Sequence, residues 1–301
     1  MNNPYSQPSG DIQLLPSLVC YADILGYSSL SESALKSGTG LQFLKRLRHA
    51  LSSAYERVRK HSEGLDEDSF FSVKVFTDNI VVGYPLYDPA FDMGEPELAD
   101  VLGIFAEFQA GLAMEGFFLR GGIAFGDHYM DDDIVFGDAL LEAVKQDKGG
   151  GPPRIALAPS AVNAVRRQLR FYSSVNRAPH YGDLLEDADG TIFLNYLNEA
   201  FSAFPDAGPF LDLIEKHQTA VTEGLLKYKG NAGVRAKFEW AAQYHNYFCA
   251  EFARDNPVQT SPDADEFYAA ACVEAQKLLD YTIDIESMAA RPSRITLSPT
   301  I

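Results

Sequence analysis

An α+β fold built on one antiparallel sheet is predicted by three features of the 301-residue chain. Short apolar runs bounded by turn residues alternate with longer segments of helical apolar spacing, in the order strand, helix, strand, strand, helix, strand, over about residues 17–126. After about residue 205 the pattern becomes almost wholly helical. The hydrophobic fraction, 46%, suffices for one sizeable core or two modest ones.

Taken in order, residues 1–15, opening on the polar MNNPYSQPSG, read as a flexible leader. SLVCYAD (17–23) is short, apolar and bounded by Pro16 and Gly26, which predicts a buried strand. Ser28 or Ser29 is placed to cap a short helix. From Leu41, the residues Leu44, Leu47, Leu51, Tyr55 and Val58 recur at helical spacing, with Lys45, Arg46, Arg48 and Arg57 mostly off that face. Phe70–Phe76 and Ile80–Tyr84 read as two strands, with Thr77 and Asp78 at the turn joining them. A second amphipathic helix covers 94–116, and FFLRGGIAFG (117–126) is a fourth strand. This βαββαβ order is the ferredoxin-like split arrangement, a sheet with both helices on one face. DHYMDDDIVFG suggests a hairpin returning to a short helix, DALLEAVKQD, followed by strand IALAP and helix SAVNAVRRQL. A last hairpin turns at Asp189-Gly190. Helices at about 210–228, 232–254 and 263–282 follow, then a loose tail. The expected organisation is a leader (1–15), a catalytic domain (16–205), a helical extension (206–290) and a tail (291–301).

Composition narrows the function. The net charge is −17 and the sequence pI near 4.7, so the surface repels a phosphate backbone and nucleic acid is a poor partner. No apolar run is long enough to span a membrane, and the N-terminus is unlike a secretory signal. Cys20, Cys249 and Cys272 are odd in number and lack C-x-x-C spacing, which argues against a disulfide framework or zinc and suits a reducing cytoplasm. There is no P-loop, no G-x-S-x-G elbow and no Rossmann fingerprint.

Two lone acids carry the chemistry. YADILGYSSL (21–30) is an apolar strand ending on Asp23 before a turn at Gly26, and Asp78 lies between two strands in FFSVKVFTDNIVVGYP (70–85). In the expected topology the end of the first strand and the turn between the second and third lie side by side. Asp23 and Asp78 would then face one pocket. Two carboxylates that close repel unless a proton or cation separates them, and hard divalent ions are the usual solution.

These residues carry a resemblance. YADILGYSSL resembles the first-strand motif of class III nucleotide cyclases, Asp-Ile-x-Gly-Phe-Thr, and VKVFTDNIVVGYP resembles their second, Lys-x-x-Gly-Asp before an apolar strand. FFLRGGIAFGD is similar to their Leu-Arg-x-Gly-Ile-x-x-Gly strand, and VFGDALLEAVK to the helix that contacts the triphosphate. The four motifs run in the family's order over about residues 18–145. The resemblance implies that Asp23, Asp78 and the Ile24 carbonyl hold two Mn²⁺ or Mg²⁺ ions. It places Lys74 where the family reads the base, and Lys145 at the phosphates. The backbone of Leu25, Gly26 and Tyr27 would run beside the phosphates. It also implies a homodimer with shared sites, so that Lys74 and the 137–145 helix serve the partner's metal pair. The reaction would be attack of a ribose 3′-hydroxyl on the α-phosphate of a nucleoside triphosphate.

The departures are specific. Leu141 stands where the family has its transition-state Asn, Lys145 where it has Arg, and Thr77 where it has Gly; Ile134 replaces the purine-reading acid, with Asp133 one position off. Arg and Lys are not equivalent there, since Lys lacks the bidentate fork. The metal half is intact and the purine-reading half is not. A degraded purine reader, an Arg-Gly-Gly-Ile strand and a helical extension containing KFEWAAQYHNYF (237–248) resemble the pyrimidine cyclases of bacterial Pycsar anti-phage systems. That resemblance implies UTP as substrate, cyclic UMP as product and a separate effector activated by it. CTP, a purine substrate, or a silent nucleotide-binding module are the alternatives.

Other conspicuous residues have plainer readings. Asp131–Asp133 suit a solvated hairpin tip, because consecutive side chains point different ways. Arg120 suits a structural ion pair better than catalysis. Trp240, Tyr244, His245 and Phe248 fall at helical spacing and read, with His217, as packing.

Overall fold

The computed structural model describes residues 3–5, 11–62, 72–76, 78–86, 94–147, 150–206, 208–261, 264–285 and 292–297. Strand β1 (Leu15–Ile24) leads through helices α1 (Tyr27–Lys36) and α2 (Gly40–Ser62) to β2 (Ser72–Phe76) and β3 (Asn79–Pro85). Helix α3 (Glu95–Met114) and strand β4 (Leu119–Met130) follow. The four strands lie in the order β2-β3-β1-β4, each antiparallel to its neighbour. This mixed α+β arrangement is compatible with the expected split topology.

Side-chain alternation along β1 separates two layers. Leu18, Cys20, Ala22 and Ile24 enter the main core with Leu47, Ala50 and Ala54 of α2 and the apolar residues of α3. Val19, on the other face, joins Val81, Ala124, Ala139 and Ala143 in a smaller cluster. Helix α1 is capped neither by Ser28 nor by Ser29. Gly26 takes the N-cap at φ 72, a conformation that glycine adopts without strain, and Tyr27 opens the helix.

Beyond β4, β5 (Val135–Gly137) folds back on it and α4 (Asp138–Asp147) packs across the second face. The Gly121-Gly122 pair lets β4 lie close to β1 on one side and to α4 on the other. A Cβ at Gly121 would stand 1.9 Å from the Tyr21 carbonyl oxygen, and one at Gly122 would stand 2.6 Å from that of Ala143. Strand β6 (Ile155–Leu157) pairs with β4 in parallel, an exception to the expected antiparallel sheet. The chain has crossed the sheet on α4 before returning, as parallel neighbours require. Helices α5 (Pro159–Gln168) and α6 (His180–Asp183) precede the hairpin of β7 (Leu184–Glu186) and β8 (Ile192–Leu194). Helices α7 (Leu211–Lys227), α8 (Ala232–Asp255) and α9 (Glu266–Gln276) come next, then β9 (Ser293–Arg294).

Two segments expected to be loose are tied down. Tyr5, in the supposed leader, is wholly buried, its ring 5.3 Å from that of His128 and its hydroxyl donating to Ser17 Oγ at 3.1 Å. In the tail, β9 pairs with β7, and Ile295 and Leu297 are buried. In each case a few apolar side chains fill a gap that only the assembled core provides.

The extension shares the main core: Leu213, Ile214, Phe238 and Tyr244 belong to one cluster with Leu119, Ile123 and Phe193. Trp240 Nε1 donates to Asp187 Oδ2 at 2.7 Å, and Tyr244 Oη donates to Asn195 Oδ1 at 2.9 Å. The His217 and His245 rings stack with centroids 5.1 Å apart and Nδ1 atoms 2.9 Å apart, and His217 Nε2 meets the Tyr196 hydroxyl at 2.7 Å. Burial holds His245 down to about 4 and His217 well below the usual imidazole value of 6.5. Both rings are neutral in the folded state, so their contribution is fully present above 6.5 and is lost as the pH falls toward 4. For one such ring the loss between pH 6.5 and 4.5 is about 2 kcal/mol. A His245→Asn chain should be less stable at pH 7 yet lose about that much less over this interval, as read from urea midpoints.

Among the described residues no helix is long and apolar enough to cross a membrane. Cys20, Cys249 and Cys272 are free and buried.

Candidate active site

The C-terminal end of β1 delivers Asp23. Pairing sets it opposite Asn79 of β3 on one side and Arg120 of β4 on the other. Asp78 occupies the β2–β3 turn, and its carbonyl accepts the Ile24 N–H at 3.1 Å. This bond fastens the turn to the strand end and brings the two carboxyl groups within hydrogen-bonding reach. Aspartates 55 positions apart in sequence thereby meet at one corner of the sheet.

Arg120 sits against them. Its Nη2 and Nε lie 2.9 and 3.1 Å from Asp23 Oδ2, and Nε lies 2.7 Å from Asp147 Oδ1. The ion pair expected of Arg120 is present, and its partner is one of the two candidate ligands. Burial raises Asp23 to about 6; Arg120 opposes the rise and Asp78 adds to it. Burial also raises Asp147, against the pull of Arg120 and Lys237. Tyr21 shares a face with Asp23, and its hydroxyl donates to Asn79 Oδ1. Burial, then the charges of Asp23, Asp147 and Asp78, push that hydroxyl up to about 12. Among the described residues the corner therefore holds three carboxylates facing two cations, Arg120 and Lys237.

Asp147, at the end of α4, and Lys237, on α8, join the site only in the folded chain. The first lies two positions beyond Lys145 in the motif helix, and the second opens the stretch KFEWAAQYHNYF. Both signals were there, but nothing in one dimension aims them at Asp23.

The remaining expected residues are distributed as follows. Ile24 is buried beside Asp23 at the strand end. Leu25 donates its N–H to the Phe118 carbonyl at 2.8 Å, which ties the chain after β1 to the start of β4. Gly26 and Tyr27 form the turn and the start of α1. Lys74 is engaged at the β4–β5 turn, where Nζ donates to the Asp131 carbonyl at 3.1 Å. Lys145 is exposed in the last turn of α4. Thr77 lies outside the described residues. Leu141 and Ile134, at 64% and 55% exposure, face outward where polar family residues were to be replaced. Asp131 Oδ1 accepts the N–H groups of Asp133 and Ile134 at 2.8 and 2.7 Å, which makes the acidic triplet a turn.

Next to this corner lies a cavity of about 720 Å³ between the β1–α1 turn and the extension, lined by Leu25, Gly26, Phe118, Lys227, Lys237 and Phe238 among others.

No family model matches the chain, and no curated protein matches it. Among solved structures, the crystal structure of the guanylyl cyclase Cya2 is similar at 12% identity and a TM-score of 0.33, over 50% of this chain and 79% of that one. A likeness that distant carries no weight for function.

Proposed function

We propose that this protein is a nucleotide cyclase acting on a nucleoside triphosphate, with UTP the favoured substrate and 3′,5′-cyclic UMP and pyrophosphate the products. The observation that carries the reading is the meeting of Asp23 and Asp78 at the end of β1, reinforced by Asp147 and balanced, among the described residues, by Arg120 and Lys237.

The donor set fits hard divalent ions. Carboxylate oxygens of Asp23 and Asp78, with the Ile24 carbonyl beside them, are the ligand types Mg²⁺ and Mn²⁺ prefer. Burial is the main cause of the raised Asp23, and the neighbouring acids Asp78 and Asp147 add to it against the pull of Arg120. Among the described residues no group of three or more His, Cys, Asp or Glu side chains is arranged to hold a metal ion, so the shell would be completed by substrate oxygens. Bound there, such ions supply Lewis-acid neutralisation of the phosphate charge. The protein's own groups do the rest. Gly26 turns the chain so that its backbone passes close to the phosphates, and Arg120 holds Asp23 in place. In the reaction the ribose O3′–Pα bond forms, the Pα–O bond to the β-phosphate breaks, pyrophosphate leaves and the hydroxyl proton passes to solvent.

The pyrimidine preference rests on Ile134, an apolar side chain at the position of the purine-reading acid. A homodimer would bring Lys74 and Lys145 of one protomer to the partner's aspartates, and the product would act on a separate effector. Leu141 favours one other reading, a cyclase-like nucleotide-binding module without turnover. Incubation with ATP, GTP, CTP and UTP plus Mn²⁺, with products resolved by mass, separates these. Cyclic UMP is expected. Cyclic CMP or a purine product overturns the base preference alone, and no cyclic product from any of the four favours the silent module.

A further inference from the structure

The extension was expected as an addition to the catalytic domain, yet α8 points a charged side chain at the candidate active site. Lys237 lines the 720 Å³ cavity together with Leu25 and Gly26, the residues that follow Asp23 and Ile24. Its charge acts on Arg120, Asp147 and Asp23, three groups from β4, α4 and β1. Phe238, its neighbour, is buried in the main core against Phe118 at 5.5 Å and stacks on Tyr228, so the start of α8 is held rigidly at this place. Gly224 admits that packing, since a Cβ there would stand 2.2 Å from the Phe238 ring.

The cavity is also unlike the rest of the molecule in charge. Arg46, Lys216, Lys227 and Lys237 line it against Glu115, Glu215 and Glu223, four cations to three acids in a chain of net charge −17. Three of the cations have other engagements: Arg46 lies over the Phe117 ring at 4.9 Å, Lys227 over Tyr228 at 5.3 Å, and Lys216 pairs with Asp212 at 3.3 Å. Lys237 is the one coupled to the carboxylate corner. Burial, then Arg120, hold it below the usual lysine range, while Asp147 and Asp23 pull the other way. A partly buried ammonium is screened less by water and salt than one on the open surface.

We infer that Lys237, from the helical extension, binds the triphosphate of the substrate in the cavity between the β1–α1 turn and α8, so that the extension completes the active site. This rests on the cyclase reading for the identity of the substrate, but not for the anion site itself. Within the chain the lysine balances Asp147 and Asp23; with a polyphosphate present it turns to the terminal phosphate oxygens, which carry the highest charge density. The packing of Phe238 beside it fixes the backbone that carries Lys237 before the ligand arrives.

The test uses the full chain in three forms, wild type, Lys237→Gln and Lys237→Arg, with Lys277→Gln, an exposed lysine that does not line the cavity, as a control. Titration calorimetry with inorganic tripolyphosphate in Mg²⁺ reads binding without turnover. The expected result is a tenfold or greater weakening in Lys237→Gln, binding within threefold of wild type in Lys237→Arg, and no change in Lys277→Gln. In parallel, KM for the triphosphate that the wild type cyclises should rise about tenfold in Lys237→Gln, with kcat changed less. Wild-type affinity in Lys237→Gln, or failure of the wild type to bind tripolyphosphate, overturns the inference. If no triphosphate is cyclised but the calorimetric pattern appears, the cyclase reading fails and the anion site stands. If Lys237→Gln melts well below wild type, the Lys237→Arg chain decides, since a purely packing role predicts that the bulkier guanidinium also weakens binding.

Discussion

An Asp78→Ala chain should fold normally and lose cyclic product by about a thousandfold or more, the scale of losing several kcal/mol of charge stabilisation at the reacting phosphate. Folding should survive because the link from this turn to β1 uses the Asp78 carbonyl, which accepts the Ile24 N–H and is unchanged by the substitution. Removing the side chain also removes one of the acids that raises Asp23, so its carboxyl should titrate nearer the ordinary range. Product quantified by mass from wild type and variant, with thermal melts as the check on folding, tests this. Retained turnover at an unchanged melting temperature would show that Asp78 does not serve the reaction. Loss of both would leave the role of Asp23 to be tested by Asp23→Asn, which keeps the shape of the side chain.

Gly121→Ala should act on the fold itself. A Cβ at this position would lie 1.9 Å from the Tyr21 carbonyl oxygen and 2.8 Å from the Ala22 Cα, both backbone atoms of the central strand. Neither can rotate aside, so β4 must move away from β1 or twist. Overpacking of this kind costs about 3 kcal/mol or more. The same movement would draw Arg120 away from Asp23, its neighbour across the pair, and so reach the candidate site. Urea midpoints measure the cost. Gly230→Ala, where a new Cβ meets nothing within 4 Å, should stay within about 0.5 kcal/mol of wild type. Equal midpoints for the two variants would mean that β4 does not approach β1 as closely as described.

The predicted helices and strands largely have counterparts among the described residues, because each rests on local information. A short apolar run between Pro16 and Gly26 marks β1, and the 3.6 period marks the Leu47 stripe of α2. Where local chemistry competed with a backbone demand, the sequence misled. Ser28 and Ser29 are favourable caps, but the chain reverses direction so tightly after β1 that a left-handed residue is needed, and Gly26 takes the place. Tyr5, Ile295 and Leu297 were read as parts of loose ends because single apolar residues in polar surroundings carry no periodic signal.

By itself the sequence determined the order of elements, the acidic surface, and the two aspartates at strand ends, since these follow from spacing and composition. The tertiary structure alone decided which charges meet those aspartates. Arg120 reaches Asp23 through strand register, Asp147 through the close packing of α4 that Gly122 permits, and Lys237 through the docking of α8 on Phe118. Electrostatic coupling depends on separation through space and on burial, and neither quantity is a function of separation along the chain.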